Sequence, residues 1–471
     1  MLACKSLTLF ILATLPILFG AVQPWVWSFY TVCIFGVFII LLWQKGGIGN
    51  RLPGKQAVFY VGIFFAVTLF QLLPLPEGLL HLLSSHQCKV LDVSRELINR
   101  PLTVHSLSYA PRASLAWWLF LLSLVLFFLI LRSILTDRRY LRTVLWLLFG
   151  LASVEALYGI LQALVPNMGV LWVDYITAYL GDARGTYINR NHFAGFMEMM
   201  IPLMLGFTLS REDWETKIGV KSFFASDRPQ LQFLLSLGLA LMVLALLFSK
   251  SRAGITGFFV GLSTFMLLMR SRRKKVPLSV TFMFAGICAL VFFYSLKIGV
   301  DPILERFLKL TMEASRLDFW RDSLAIIQAH PFGTGLSTCK QVFAVYNIST
   351  STEVLVTHLH NDYLHLLVET GWIGFLALAS GLAVFLIGSF RKVGNLGLKD
   401  DPLRFFLATG ALSGLTSIVF HSLFDFNLHI PANCVYFVTL MAIVYTCAWL
   451  EPVKKPGGKK AMENIFTQYA K

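Results

Sequence analysis

From residue 7 to residue 450 the chain alternates long apolar runs with short stretches that gather Lys, Arg, Asn, Gly and Pro. The run 231–248, for example, contains no charged residue. Such runs approach the ~20 residues with which a helix crosses ~30 Å of hydrocarbon, and they lack the period-two alternation of a membrane barrel. The pattern predicts twelve spans, near 7–22, 25–43, 57–75, 114–131, 143–165, 192–210, 230–249, 253–269, 277–296, 371–390, 405–424 and 430–450. The first follows Lys5 in the manner of a signal peptide, but the next run begins almost at once, so it reads as a retained helix. The expected fold is all-α: a polytopic membrane protein of about 12 transmembrane helices with a long helical extracytoplasmic loop.

Composition agrees. Of 471 residues 56% are hydrophobic and 14% charged, with a mean hydropathy of +0.70, whereas a soluble chain carries about a quarter charged residues. A water-soluble globule is excluded. With twelve spans, 26 of the 40 Lys and Arg fall in the loops and tails of one side, and the run Arg270, Arg272, Arg273, Lys274 and Lys275 is its densest cluster. Positive charge marks the cytoplasmic face, so both termini are expected inside. The net charge of +15 calls for membrane lipids as neighbours and for no nucleic acid.

Three long connections, 76–113, 166–190 and 298–370, then share the outer face. Long connections in compact proteins tend to carry function. The expected organisation is spans 1–9 over 1–297, a catalytic extracytoplasmic loop over 298–370, spans 10–12 over 371–450 and a cytoplasmic tail over 451–471. Seven cysteines show no metal-like spacing; Cys88 and Cys339 share the outer face, and whether they pair is left open.

Ionisable side chains beside spans are costly and point to function, and three clusters stand at predicted outer ends. The first is Arg184-Gly185-Thr186-Tyr187-Ile188-Asn189-Arg190-Asn191-His192, with arginines suited to phosphate and asparagines suited to capping the helix that follows. The same arginines also suit lipid headgroups. The second is the turn Ser249-Lys250-Ser251-Arg252-Ala253-Gly254, whose Lys250 and Arg252 run against the charge bias of the chain and whose small neighbours allow close helix approach.

The third cluster lies in the longest loop. Arg316-Leu-Asp318-Phe-Trp320-Arg321-Asp322 has charges at helical spacing, where Arg316 with Asp318 or Asp322 also fits a solvated ion pair. His330-Pro331-Phe332-Gly333-Thr334-Gly335 supplies a helix stop and a turn, and Thr357-His358-Leu359-His360-Asn361-Asp362-Tyr363-Leu364-His365, with Glu369, follows. The spacing of these His and acidic residues matches no standard zinc site. A neutral imidazole acting as a base fits better. The first outer loop, with Lys89, Arg95, Arg100 and His105, forms part of an acceptor site or merely coats one.

His360-Asn361, nine residues, Gly371, two residues, Gly374 resembles a motif of the O-antigen ligase and polymerase superfamily. Arg184-Gly185-Thr186, Ser251-Arg252-Ala253-Gly254, Arg316 to Trp320, His330-Pro331 and Gly333-x-Gly335 also resemble that superfamily, in the same order. The resemblance spans most of 180–390. It implies transfer of a glycan from a polyprenyl (undecaprenyl) diphosphate carrier to an acceptor hydroxyl, at the periplasmic face of a bacterial inner membrane. It further implies an inverting, metal-independent glycosyltransferase without cofactor, and lipid A core as the expected acceptor. A glycan repeat or a protein hydroxyl are the other acceptors of the superfamily.

The residue chemistry fits this expectation. A diphosphate leaving group needs its charge neutralised, and the sequence holds no Asp-x-Asp to place a metal against it, which leaves arginines. Arg184, Arg252 and Arg316 are the expected diphosphate ligands and His360 the catalytic base, supported by Asn361, Asp362, Glu369, Lys250 and Arg190. Asp362 or Glu369 is expected to orient His360, or else to pair with an arginine. A polytopic transporter is the reading from another class, but repeated halves and mid-membrane charges are not visible in the pattern.

Overall fold

A computed structural model describes residues 1–45, 55–98, 106–165, 167–173, 178–210, 227–270, 311–346, 356–397 and 401–450. Among them, nine helices are long and apolar enough to cross a membrane. These are α2 (Pro24–Lys45), α6 (Pro111–Ile134), α7 (Arg138–Leu164), α8 (Arg190–Leu209), α9 (Asp227–Phe248), α10 (Arg252–Arg270), α13 (Asp362–Asn395), α14 (Pro402–His421) and α15 (Pro431–Val444) with the turn that continues it.

Two further expected spans are shorter than foreseen: α1 (Leu2–Thr14) has 13 residues and α3 (Lys55–Phe70) has 16. Each stops just ahead of a proline, Pro16 or Pro74, which cannot continue the helical hydrogen-bond ladder. The predicted span 277–296, most of the basic run 270–275, the side chain of Arg95, and Arg100, His105 and the tail 451–471 lie outside the described residues.

α8 is the axis of the bundle. Every residue from His192 to Leu209 is buried, because α7, α9, α10, α14 and α15 all pack around it. Small residues permit the tightest of these approaches: a Cβ on Gly206 would lie 2.2 Å from the carbonyl oxygen of Phe406, and one on Gly410 2.3 Å from that of Pro202. Such close backbone packing substitutes for the hydrophobic drive that lipid does not provide.

Within this packing Glu198 of α8 and His421 of α14 meet at 2.9 Å, both fully buried. The sequence pattern predicts no charges inside the bundle, whereas this pair lies within it, and the mutual contact of the two groups is what makes their burial tolerable.

The described part of the long connection between α10 and α13 holds two helices, α11 (Thr311–Ala329) and α12 (Cys339–Tyr346), joined by irregular chain. These close a second, smaller apolar core over the start of α13, built from Phe319, Ile326, Val342, Phe343, Leu359 and Val368. α4 (Glu77–Leu83) and α5 (Ser85–Ile98) flank it. The first outer loop is bound to this core: Ser84 Oγ lies 2.9 Å from His330 Nδ1, Tyr109 N donates to Thr334 O, and Gln71 donates to Phe332 O and Glu369 O. Cys88 and Cys339 are both buried and form no disulfide with each other.

α13 begins at Asp362, ahead of the span expected at 371–390, and breaks at Gly371. There φ is +65°, and a Cβ would stand 2.4 Å from the backbone carbon of Phe332. The turn Pro331–Gly333 presses into the break, with Trp372 N donating to Pro331 O at 3.1 Å. Only glycine fits, which is the physical meaning of the glycine that follows His360-Asn361 in the sequence.

Candidate functional site

The helix ends that carry the three clusters meet at one end of the bundle. α8 starts at Arg190 and α10 at Arg252, α13 starts at Asp362, and the turn 422–430 joins α14 to α15. Each start is locally encoded. Asn189 Oδ1 accepts from Asn191 N at 2.8 Å and Asn361 Oδ1 from Leu364 N at 3.0 Å, the capping geometry foreseen for asparagine.

The Arg184-Gly185-Thr186 segment is held from beneath by α7. Glu155 accepts from Thr186 N at 2.9 Å and from Thr186 Oγ1 at 2.8 Å, while Gln162 receives Arg184 N and donates to Gly185 O. Gly185 has φ +54° and lies so close to Glu155 that a Cβ would be 2.3 Å from its carboxylate. Arg184 itself is fully buried, with Nη1 donating to Ala178 O at 2.5 Å. Burial lowers its pKa, although Asp182 opposes the effect. It was expected to grip a diphosphate directly; in this arrangement its guanidinium faces protein rather than solvent.

The reachable cations are organised by a residue the sequence reading missed. Asp182 pairs with Arg190 through one carboxylate oxygen and with Lys250 at 2.6 Å through the other. Lys250 also donates to Gly181 O, and the Arg190 guanidinium sits 5.3 Å above the ring of Tyr179. Asn191 next to Arg190 reaches Asp425, and Arg316 donates to Phe424 O beside it, so these chain segments converge there. The Arg316 bond, at 3.0 Å, fixes α11 against the turn after α14. Arg252, half-buried, opens α10 where Gly254 meets Ala194 and His421.

His360 stands at φ +50° with its side chain 29% exposed. Its Nδ1 lies 3.2 Å from Asp425 Oδ1, and the other oxygen of Asp425 accepts from Asn191 Nδ2 at 2.5 Å. Burial by itself would raise the pKa of Asp425, but the hydrogen bond from His360 and the surrounding imidazoles outweigh it and hold the carboxyl well below the ordinary carboxylate range. The carboxylate that orients His360 is therefore Asp425, and not Asp362 or Glu369.

Asp362 binds His429 Nδ1 at 2.6 Å and Leu428 N at 2.9 Å. Glu369 takes His365 Nε2 at 3.1 Å together with Thr338 N and Cys339 N. Both lie on a second polar layer, separated from His360 by the ring of Phe426. Sequence reasoning could have found Asp425: it sits with His421 and His429 in a short hairpin between two spans, the same signal that singled out Lys250 and Arg252.

Fold and site together define a class, a helical membrane protein with a preorganised cluster of cations, a carboxylate and an imidazole at one end of its bundle. The family model described as O-antigen ligase matches residues 237–379, a stretch that contains Lys250, Arg252, Arg316, His360 and Glu369 but neither Arg184 nor Arg190. The resemblance to the O-antigen ligase superfamily is thereby shown over that stretch. No curated protein matches the chain. The family match supports glycan transfer in the biosynthesis of lipopolysaccharide or related glycans.

Proposed function

We propose that this protein ligates a glycan from an undecaprenyl diphosphate carrier to a hydroxyl of lipid A core at the periplasmic face of the inner membrane, with both termini in the cytoplasm. The observation that carries the reading is the His360–Asp425 pair set beside a cluster of cations on converging helix ends. Asp425 occupies Nδ1, so Nε2 is the nitrogen that takes the acceptor proton. The acceptor oxygen attacks the anomeric carbon from the face opposite the leaving group, the bond to the diphosphate breaks, and the configuration inverts.

Charge on the departing diphosphate is met by Arg252, Arg316, Arg190 and Lys250, with forked guanidinium donors suited to phosphate oxygens. Arg184 supports the same end from within the protein, by setting the loop that holds Asp182. No metal is required in this chemistry, since fixed cations perform the neutralisation.

His360→Ala should lower transfer by roughly 10²- to 10⁴-fold while the protein remains in the membrane. Near wild-type transfer by that variant would refute the assignment. Arg252→Lys keeps the charge and loses the fork, so it should weaken donor use in the same assay. Glycan profiling of a strain lacking the protein tests the acceptor. Free carrier-linked polymer supports ligation; single capped repeats would point to a polymerase, and normal lipopolysaccharide with bare glycoprotein to a protein-directed transferase. Movement of unmodified glycan into sealed vesicles would favour a transporter.

A further inference from the structure

Behind the Phe426 ring lies a second group of titratable residues with no part in the transfer chemistry. His365 and Glu369 stand one helical turn apart on α13, and His429 approaches from the turn after α14. One ligand atom from each falls within 4.8 Å of the others. The His365 and His429 ring centroids are 4.0 Å apart, and His358 lies 5.4 Å from His365. His365 is 2% exposed, and its Nδ1 and the Nδ1 of His358 are buried without a hydrogen-bond partner. The nitrogen of His365 that faces Glu369 is Nε2, 3.1 Å from Oε1, and this is the atom the two residues would share with an ion.

We propose that His365, Glu369 and His429 bind one transition-metal ion of the zinc class, with His358 beside them. Two imidazoles and a carboxylate are a common zinc donor set. Ligand atoms at ~2.0–2.2 Å from a tetrahedral ion are ~3.3–3.6 Å apart, and the His365 Nε2–Glu369 Oε1 separation of 3.1 Å is already close to that edge. A ligand atom of His429 completes the set within 4.8 Å of the other two.

The surroundings match a metal site as well. Asp362 engages His429 Nδ1 at 2.6 Å and so directs Nε2 toward the ion, the carboxylate–histidine–metal arrangement that fixes ring orientation and tautomer. The ion ties α13 to the turn that carries Asp425 and thus stiffens the support of His360. It contacts neither His360 nor the cations and is independent of the proposed transfer reaction.

Metal content of the purified full-length protein tests this without a transfer assay. After incubation with zinc chloride and desalting, mass spectrometry should find about one zinc per chain, and cobalt chloride should give the visible absorption of a tetrahedral site. His365→Ala and His429→Ala should lose the metal, whereas His360→Ala should keep it. Should those variants fail to fold, Glu369→Gln decides instead: the amide oxygen still accepts from Thr338 N and Cys339 N but is a poor ligand. Asp362→Asn should weaken zinc binding about 10- to 100-fold. Wild-type protein with less than about a tenth of an equivalent of zinc, or Glu369→Gln with wild-type zinc content, overturns the proposal. Loss of transfer in His360→Ala with full metal content leaves the two readings separately tested.

Discussion

At the scale of single residues, the site depends on which carboxylate meets which imidazole. His360 lies two residues from Asp362, yet Asp425, 65 residues away, is its partner. Asp425→Asn should therefore reduce transfer sharply while His360 stays in place, because the amide no longer stabilises the protonated imidazole. The Asp425 carboxyl is held below its ordinary value, so its contribution to stability is complete above about pH 4 and is lost as pH falls through the folded value. The difference in melting temperature between wild type and Asp425→Asn, measured from pH 7 downward, should shrink below about pH 4. Asp425 shows in the sequence only as an acid beside His421 and His429 in a short hairpin between spans, a weaker signal than the ordered motifs that carry His360 and the arginines.

At the scale of elements, two of the contacts among the described residues of the outer layer lend themselves to testing. The break at Gly371 receives the turn Pro331–Gly333. Gly371→Ala adds a Cβ at a positive φ and against backbone, so it should cost at least ~1–2 kcal/mol, read as a lower melting temperature in detergent together with reduced transfer.

The second contact is His330, clamped between Ser84, Tyr109 and Tyr346. Burial lowers its pKa to about 4, so the folded protein holds it neutral while the unfolded chain protonates near pH 6.5. Acidification from about pH 6.5 to 4 should loosen this clamp. Hydrogen-exchange protection in 84–98 and 106–110, corrected for the intrinsic rate at each pH, should fall over that interval in wild type and stay constant in His330→Phe. The sequence marked His330-Pro331 as a helix stop, but not the clamp, whose other members come from distant loops.

At the scale of the whole molecule, charge placement sets the orientation expected of the bundle. Single cysteines introduced on a cysteine-free background at 391–397 should react with impermeant reagents only from the cytoplasmic side, and at His86 only from the periplasmic side. The opposite labelling would invert the topology and remove the site from the outer leaflet.

What the sequence determined by itself was whatever depends on neighbours along the chain. Apolar run length set the helices, prolines and asparagines set their ends, and His360-Asn361 with Gly371 marked the family. Tertiary structure alone decided that Arg184 turns inward, that Asp182 gathers Arg190 and Lys250, and that Asp362 and Glu369 serve the second layer. Helix formation is local, because its hydrogen bonds close over four residues. The pairing of an imidazole with a carboxylate from another helix depends on how helix ends are brought together, and that is a property of packing that no local spacing records.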